Sequence, residues 1–367
     1  MSDSVFVNNE TLEVIRSQSR LVLNEERKSN RALLWRKKRS ALGGINGEEF
    51  YLSTKEVVDK AKQLERGALS RKDYLLLQNS LIQNEANVKS FLQANNVLDA
   101  LMRDLTGANP AVQLIAASCC CNIALANPQV CIFLAKYAGP HLVAELYSLN
   151  YPLLEVCAWT IGNLCAGSKT AFEFLYAQGC YQALISLINN CEESVLQSTI
   201  YALKFCLYSG HDVISGSEVT DLSTALIRLN HFSHDKENLW ILALLSSRKE
   251  SHNALMSVLE IVLKIVWEIV MDSEATSNDE MLAPGIRLLG NTITESTGRA
   301  AKIFINSRNN QDIATFFDKL LSKSENHVKM ESFWVFGNFY DHVQPEIRAE
   351  VRERLIPLMN SLKHFVS

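Results

Sequence analysis

The feature that most constrains the fold of this chain is an internal repeat of roughly 40 to 47 residues. Phe-Leu pairs begin at Phe91, Phe133 and Phe174, at spacings of 42 and 41 residues. An asparagine recurs in step with these pairs, in the segments CCCNIA, CAWTIGNLC, LLGNTI and FWVFGNF. One such unit cannot bury its apolar face alone, so we expect consecutive units to stack around a shared core.

The recurring asparagines set the register of the repeat. We call their positions the ladder positions, and we call the residue four places before each one its slot residue. Two apolar residues fall in the same register between the second and third asparagines, so that the steps are 41, 42, 39, 47 and 47 residues. The ladder positions are Asn122, Asn163, Phe205, Leu244, Asn291 and Asn338.

Local patterns indicate that the units are built from helices. Leu98, Leu101 and Leu105 follow the i, i+3, i+7 spacing of one helix face. Glycine and proline together supply only 22 of 367 residues, which argues against a fold with many tight turns between strands. The sequence therefore predicts an all-α, armadillo/HEAT-type, right-handed α-solenoid of about six to seven repeats, from near Arg71 to near Met359.

Prolines mark the predicted breaks between helices. Asn109-Pro110, Asn127-Pro128, Gly139-Pro140 and Tyr151-Pro152 are read as turns or helix starts, because the residue before proline avoids the helical conformation. The most apolar long window, 254–271, carries Glu260, Lys264 and Glu268 on one helix face and is read as amphipathic. No membrane span is expected.

Charge and cysteine content exclude several classes of partner and site. The net charge of −4 gives no bulk attraction to nucleic acid or to an anionic membrane. The N-terminus has neither a secretory nor a mitochondrial leader pattern. All nine cysteines lie between Cys119 and Cys206 without a C-x-x-C pair, and we interpret them as reduced core residues. No phosphate-binding loop, zinc motif or nucleophile elbow is present, so no enzyme activity, cofactor or metal is predicted.

The chain is expected to have two parts. Residues 1–50 carry no repeat and hold a dense basic cluster, and residues 51–367 form the repeat solenoid. The basic residues of this arm are Arg27, Lys28, Arg31, Arg36, Lys37, Lys38 and Arg39.

Two segments together resemble the importin-α family. CAWTIGNLCAGSKTAFEFLYAQG is similar to an importin-α armadillo repeat, with Trp159 and Asn163 in its W-x-x-x-N motif, and Trp334 and Asn338 repeat that motif. The arm is similar to the importin-β-binding segment of the family, and Glu25 begins the matching pattern. The resemblance covers most of the chain and is most specific over about 25–40 and 108–190.

The resemblance implies a peptide-binding groove. Asparagine amides of such a groove bond the main chain of an extended peptide, since one amide offers both donors and an acceptor. Indole rings hold the stems of Lys or Arg and attract their charge by about 0.5–2 kcal/mol per contact. The residues placed in this groove are Asn122, Trp159, Asn163, Trp334 and Asn338. For Trp159 and Trp334 a core role remains the alternative, and Trp240 is interpreted as core.

Several positions depart from the family pattern. The slot residues of Asn122 and Asn291 are Ser118 and Arg287 in place of tryptophan, and Arg287 is expected to repel a basic peptide. Where the family places an aspartate four residues after the motif asparagine, this chain has Gly167. An altered cargo, or a single anchored site around Trp159, fits these changes.

The resemblance implies a non-enzymatic nuclear import adaptor in the cytoplasm and nucleus. Its partners are a cargo protein with an extended, basic segment and a β-type karyopherin that binds the arm, with no nucleic acid and no membrane. Two further interpretations of the arm stay open. It can occupy the chain's own groove, or it can be a solvated charge run or a signal that another receptor binds. The alternative function is a cytosolic armadillo scaffold without import activity. A nucleic-acid-associated role for the arm is disfavoured by the net charge.

Overall fold

The computed structural model describes residues 52–67, 69–83, 85–190, 193–229, 235–271, 279–323 and 326–359. Within these ranges the chain is helical and contains no strand. It divides into two compact units, which we describe separately as the first unit, 52–258, and the second unit, 259–359. The predicted arm, 1–50, lies outside the described residues, so the boundary at residue 50 stays a prediction.

The first unit contains thirteen α-helices in its described ranges, and a short 3-10 turn at Lys249–Ser251 precedes the last of them. They are α1 Thr54–Glu65, α2 Arg71–Gln83, α3 Glu85–Leu92, α4 Val97–Leu105, α5 Pro110–Ile123, α6 Pro128–Glu145, α7 Tyr151–Gly167, α8 Lys169–Ala177, α9 Cys180–Asn189, α10 Glu193–Gly210, α11 Gly216–Leu229, α12 Lys236–Leu245 and α13 His252–Leu255.

The second unit contains six further α-helices in the part that the structure describes. They are α14 Leu259–Met271, α15 Leu282–Ile293, α16 Arg299–Asn306, α17 Asn310–Leu321, α18 Asn326–Tyr340 and α19 Pro345–Glu350. A 3-10 turn, Asp279–Met281, precedes α15, and a π turn and a 3-10 turn, Val351–Leu355 and Ile356–Leu358, follow α19.

Asparagine caps explain two of the predicted helix starts. Asn109 Oδ1 accepts hydrogen bonds from the backbone N–H groups at the start of α5, and Asn127 Oδ1 accepts one from Val130 N at 3.1 Å in α6. In both helices proline occupies the first position, where its missing N–H breaks no helical hydrogen bond. Tyr151-Pro152 likewise opens α7, so three of the four proline-marked breaks are confirmed.

The predicted break at Gly139-Pro140 is wrong. Pro140 lies inside α6, which runs without interruption from residue 128 to 145. The neighbouring repeats do break at the equivalent point, where Asn96 precedes α4 and Gly179 precedes α9, both with positive φ. Tertiary packing therefore overrides the local preference of proline at this position. Gly139 is buried, and an added Cβ there would lie 3.1 Å from Leu175 of α8.

One helix of each repeat carries a ladder position, and we call these the inner helices. We count α2 with them, because it packs beside α5 as the other inner helices pack beside one another. In the first unit α2, α5, α7, α10 and α12 pack side by side in chain order. In the second unit α15 packs against α18 in the same way. The count of seven inner helices in the described ranges agrees with the predicted six to seven repeats, and the first of them begins at the predicted Arg71.

The remaining helices cover the other side of the inner helices and complete the core of each unit. In the second unit Phe304, Phe316, Phe317 and Phe339 are all buried, and their rings lie 5.0–6.3 Å apart where they meet. The apolar window at 254–271 includes α14, whose Glu260, Lys264 and Glu268 are exposed as predicted. Among the helices that the structure describes, none is long and apolar enough to cross a membrane.

Candidate peptide-binding ladder

The ladder asparagines join consecutive inner helices. The Nδ2 of Asn122 donates to the backbone oxygen of Gln78 at 2.7 Å, and the Nδ2 of Asn163 contacts the oxygen of Cys121 at 3.4 Å. In the second unit Asn338 Nδ2 donates to the oxygen of Gly290 at 2.8 Å. Each acceptor is the residue directly before the ladder position of the preceding repeat, so the amide links two neighbouring inner helices.

This bonding pattern reveals a ladder position that the sequence analysis missed. Gln78 precedes Asn79 on α2 in the same way that Cys121 precedes Asn122 on α5. Asn79 is therefore the ladder residue of the first repeat, 43 residues before Asn122. The segment LLLQNSL has the apolar pattern and the asparagine of the other ladder segments, so the position could have been found from the sequence. Its slot residue is Leu75, however, and not tryptophan.

The groove residues of the first unit are brought together, and they are buried. Trp159 and Asn163 are 7% and 5% exposed, and the Trp159 ring lies 4.2 Å from the ring of Tyr201 on the next inner helix. The hydroxyl of Tyr201 donates to Asn163 Oδ1 at 2.8 Å. Both ends of the Asn163 amide thus already contact neighbouring helices.

The second unit repeats this arrangement with tryptophan as the donor. Trp334 Nε1 donates to Asn291 Oδ1 at 3.1 Å. Trp334 and Asn338 are both partly exposed, unlike the equivalent residues of α7. In both units, then, an aromatic slot residue bonds the ladder asparagine of the preceding inner helix.

A glycine directly before the ladder asparagine makes room for this aromatic donor. A Cβ added to Gly162 would lie 2.6 Å from Tyr201 Cδ1 and 3.1 Å from the Cα of Ala202. A Cβ added to Gly290 would lie 2.9 Å from Val335 Cγ2 and 3.2 Å from Trp334 Cδ1. The close approach of the next inner helix therefore depends on the missing side chain at each of these positions.

The step between Asn122 and Trp159 differs from the two bonded steps. The residue before Asn122 is Cys121, which carries a side chain where the other steps have glycine. The Trp159 Nε1 is buried and has no hydrogen-bond partner among the described residues. Asn122 Oδ1 likewise accepts no hydrogen bond from the part of the chain that the structure describes.

The middle of the first unit carries apolar ladder residues and a buried ion pair. Phe205 and Trp240 are 2% and 5% exposed, which supports the core interpretation of Trp240. The fully buried Lys204 forms an ion pair with Glu237 between α10 and α12. The two ladder positions in this part of the unit, Phe205 and Leu244, offer no asparagine amide to a ligand.

The expected repulsion by Arg287 is offset within the second unit. Arg287 forms an ion pair with Glu331 on the next inner helix, with Nε 3.1 Å from Oε2. Glu331 is only 4% exposed, so its carboxylate is committed to this partner. A basic peptide would meet a neutral pair at this position, contrary to the sequence-based expectation.

The other predicted features are placed as follows. The karyopherin-binding residues of the arm, Arg27, Lys28, Arg31, Arg36, Lys37, Lys38 and Arg39, lie outside the described residues. Seven of the eight described cysteines are buried, and burial raises the pKa of the Cys119, Cys120 and Cys157 thiols. Within the described ranges no cluster of three His, Cys, Asp or Glu residues can hold a metal ion.

Comparison with known proteins relates this ladder to the importin-α family. The chain is 26% identical over 345 residues to importin subunit alpha-9 of Arabidopsis thaliana, covering 85% of this chain and 65% of that protein. It therefore spans less than two thirds of the length of this curated relative. No protein-family profile matches the chain. The importin-α resemblance predicted from the sequence is confirmed by this relative.

Two solved structures share the fold. Both are crystal structures of engineered proteins. One has a TM-score of 0.62 at 19% identity and covers 77% of this chain and 67% of its own. The other has a TM-score of 0.53 at 18% identity, with coverages of 66% and 95%. The fold is an armadillo-type α-solenoid, as predicted.

Proposed function

We propose that this chain is a non-enzymatic nuclear import adaptor that resembles importin-α. An extended, basic segment of a cargo protein lies along the inner helices, and the basic arm binds a β-type karyopherin. The single observation that carries the proposal is the ladder of asparagines and aromatic residues on consecutive inner helices, in a chain similar to an importin α subunit. Such an adaptor works in the cytoplasm and the nucleus.

The chemistry of the inner helices suits a polypeptide ligand better than a small substrate. Amides and indoles offer hydrogen bonds to a peptide main chain and flat surfaces to lysine or arginine stems. The neutralised Arg287 removes one obstacle to a basic segment. Gly167 stands where the family pattern has an aspartate, so this position has no carboxylate to bind a lysine of the cargo. We therefore expect this chain to bind cargo more weakly than a groove with the full family pattern.

The arm can be tested separately. A peptide of residues 10–45 is titrated with a β-type karyopherin at physiological salt, and a triple variant with Lys37, Lys38 and Arg39 changed to alanine is the control. We expect micromolar or tighter binding by the wild-type peptide only, because these side chains place charge against an acidic surface. Equal binding by both peptides, or by neither, contradicts the assignment of the arm.

The groove can be tested on the full chain with a fluorescently labelled, lysine-rich peptide. We expect saturable binding that weakens in Trp159→Ala. Because Trp159 is buried, Trp240→Ala serves as the matched control, since it removes an equally buried tryptophan beside an apolar ladder residue. If both variants keep the far-UV circular dichroism of the wild type and lose the peptide equally, Trp159 has no specific role and the groove assignment fails.

A second function is favoured by one observation. The amide of Asn163 is bonded to Tyr201 and contacts Cys121, and an adaptor of this kind needs amides that are available to cargo. A cytosolic armadillo scaffold, which assembles proteins through other surfaces and has no import activity, needs none. Absence of karyopherin binding, together with absence of peptide binding, identifies this scaffold role.

A further inference from the structure

Two steps of the ladder are closed by an internal hydrogen bond. Tyr201 donates to Asn163 in the first unit, and Trp334 donates to Asn291 in the second. In both, glycine precedes the asparagine, and an added Cβ would lie within 2.6–3.2 Å of the aromatic donor. A glycine, an asparagine and an aromatic donor occur in the same register twice in the chain, so the arrangement is a recurring feature of the repeat.

The Tyr201 donor is held firmly in place. Its ring lies 4.2 Å from Trp159 on one inner helix and 4.8 Å from Phe205 on its own helix, and the residue is 3% exposed. A ligand that bonds Asn163 Oδ1 in its place must displace this packed aromatic ring. The Asn163 amide is therefore a poor site for a peptide main chain.

One step carries both an asparagine and an aromatic donor that do not bond each other. At the step from Asn122 to Trp159, the Trp159 Nε1 has no partner among the described residues, although the residue is more than nine-tenths buried. The Trp159 Nε1 has almost no solvent-accessible surface, so it stays packed inside the first unit and cannot reach a ligand. Asn122 Oδ1 accepts no hydrogen bond from a described residue and is therefore the open amide acceptor at this step.

We propose that Tyr201 and Trp334 are latches that close the ladder at Asn163 and Asn291, and that an extended polypeptide is held at the Asn122–Trp159 step. A peptide unit there donates its N–H to Asn122 Oδ1. This inference rests on the proposed function, because it assigns the contact that holds the cargo. It also departs from the sequence analysis, which gave Asn163 the same role as Asn122.

The first experiment measures peptide affinity by fluorescence anisotropy on the full chain, with the labelled lysine-rich peptide. We expect Asn122→Ala to weaken binding at least tenfold and Asn163→Ala to change it less than twofold. Tyr201→Phe, which removes the latch hydroxyl and keeps the ring, should also change binding less than twofold, because the packed ring still covers Asn163 Oδ1. If Asn163→Ala weakens binding as much as Asn122→Ala, the latch is refuted while the peptide-binding function stands.

The second experiment needs no ligand and decides the latch even if no peptide binds. The urea unfolding midpoints of Tyr201→Phe, Asn163→Ala and the double variant are compared, with Tyr181→Phe as the matched control. Tyr181 is equally buried, but its hydroxyl has no partner among the described residues. We expect Tyr201→Phe to lower the midpoint, Tyr181→Phe to leave it unchanged or raise it, and the two latch variants to be non-additive. The proposal is overturned if Tyr201→Phe and Tyr181→Phe shift the urea midpoint equally. It is also overturned if the effects of Tyr201→Phe and Asn163→Ala simply add in the double variant.

Discussion

The same substitution, glycine to alanine, should have opposite effects at two equivalent positions of the repeat. Gly162 and Gly337 each directly precede a ladder asparagine, on α7 and α18. Beside Gly162 the next inner helix leaves no space for a Cβ, whereas no described atom lies within 4 Å of a Cβ on Gly337. At Gly337 only the higher helix propensity of alanine changes the stability. At Gly162 this gain is opposed by steric overlap of the new Cβ with the Tyr201 ring.

The magnitudes follow from these distances. Replacing glycine by alanine inside a helix stabilises it by about 0.5–1 kcal/mol. At Gly162 the new Cβ would lie 2.6 Å from the packed Tyr201 ring and 3.1 Å from the backbone of Ala202, and overpacking of this kind costs about 1–3 kcal/mol. We therefore expect Gly337→Ala to stabilise the fold by about 0.5–1 kcal/mol and Gly162→Ala to destabilise it by about 1–2 kcal/mol.

Urea unfolding followed by far-UV circular dichroism measures both shifts. Repeat proteins can unfold in more than one step, so Gly290→Ala is included as a companion to Gly337→Ala within the second unit. A Cβ on Gly290 would lie 2.9 Å from Val335, a stiff β-branched side chain, and this variant should also be destabilised. If Gly162→Ala and Gly290→Ala raise the midpoint as Gly337→Ala does, the close approach of the inner helices is refuted.

Three further predictions concern stability. Hydrogen bonds from Tyr176, Ser215 and Gln182 outweigh burial and lower the pKa of Glu218. Its contribution to stability is therefore present above the unfolded-state pKa of about 4.3 and is lost as the pH falls through the lower folded-state pKa. Glu218→Gln should flatten this acid dependence of the urea unfolding midpoint. Lys204→Ala should destabilise the fold by about 3–5 kcal/mol, because the carboxylate of Glu237 is left without its buried cation. In the same assay, the double variant Lys204→Ala, Glu237→Ala should recover part of that loss. Pro140→Ala should stabilise the fold by about 1–3 kcal/mol, measured as a higher thermal midpoint. Pro140 lacks the backbone N–H that a helix interior uses, and its exposed ring is not part of the core.

The repeat architecture was predictable because its signals are local and recur. Leu98, Leu101 and Leu105 gave a helix face, and α4 buries all three. Asn109 and Asn127 placed two helix starts, since a cap and a following proline act on the residues next to them. Pro140 misled for the opposite reason, because the packing of α6 with α8 depends on residues nearly 40 positions away.

The details of the ladder could not be read from the sequence. W-x-x-x-N places Trp159 and Asn163 one helical turn apart, but it does not say which atoms they bond. The hydroxyl of Tyr201, 38 residues later, takes the Asn163 oxygen, and Glu331 neutralises Arg287 from 44 residues away. Both partners lie on the next inner helix, at a register that becomes visible only when the helices are stacked.

The residue before each ladder asparagine is what separates the bonded steps from the unbonded one. Where that residue is glycine, an aromatic side chain of the next inner helix comes close enough to donate a hydrogen bond to the asparagine oxygen. The amide then links two inner helices. Cys121 is larger, and at its step the buried Trp159 N–H does not bond the Asn122 oxygen, which the latch proposal therefore assigns to a peptide. The latch proposal therefore predicts that two chains with identical W-x-x-x-N motifs can differ in which asparagines bind a ligand. Under this proposal, the residue before the ladder asparagine decides whether the asparagine oxygen is bonded inside the fold.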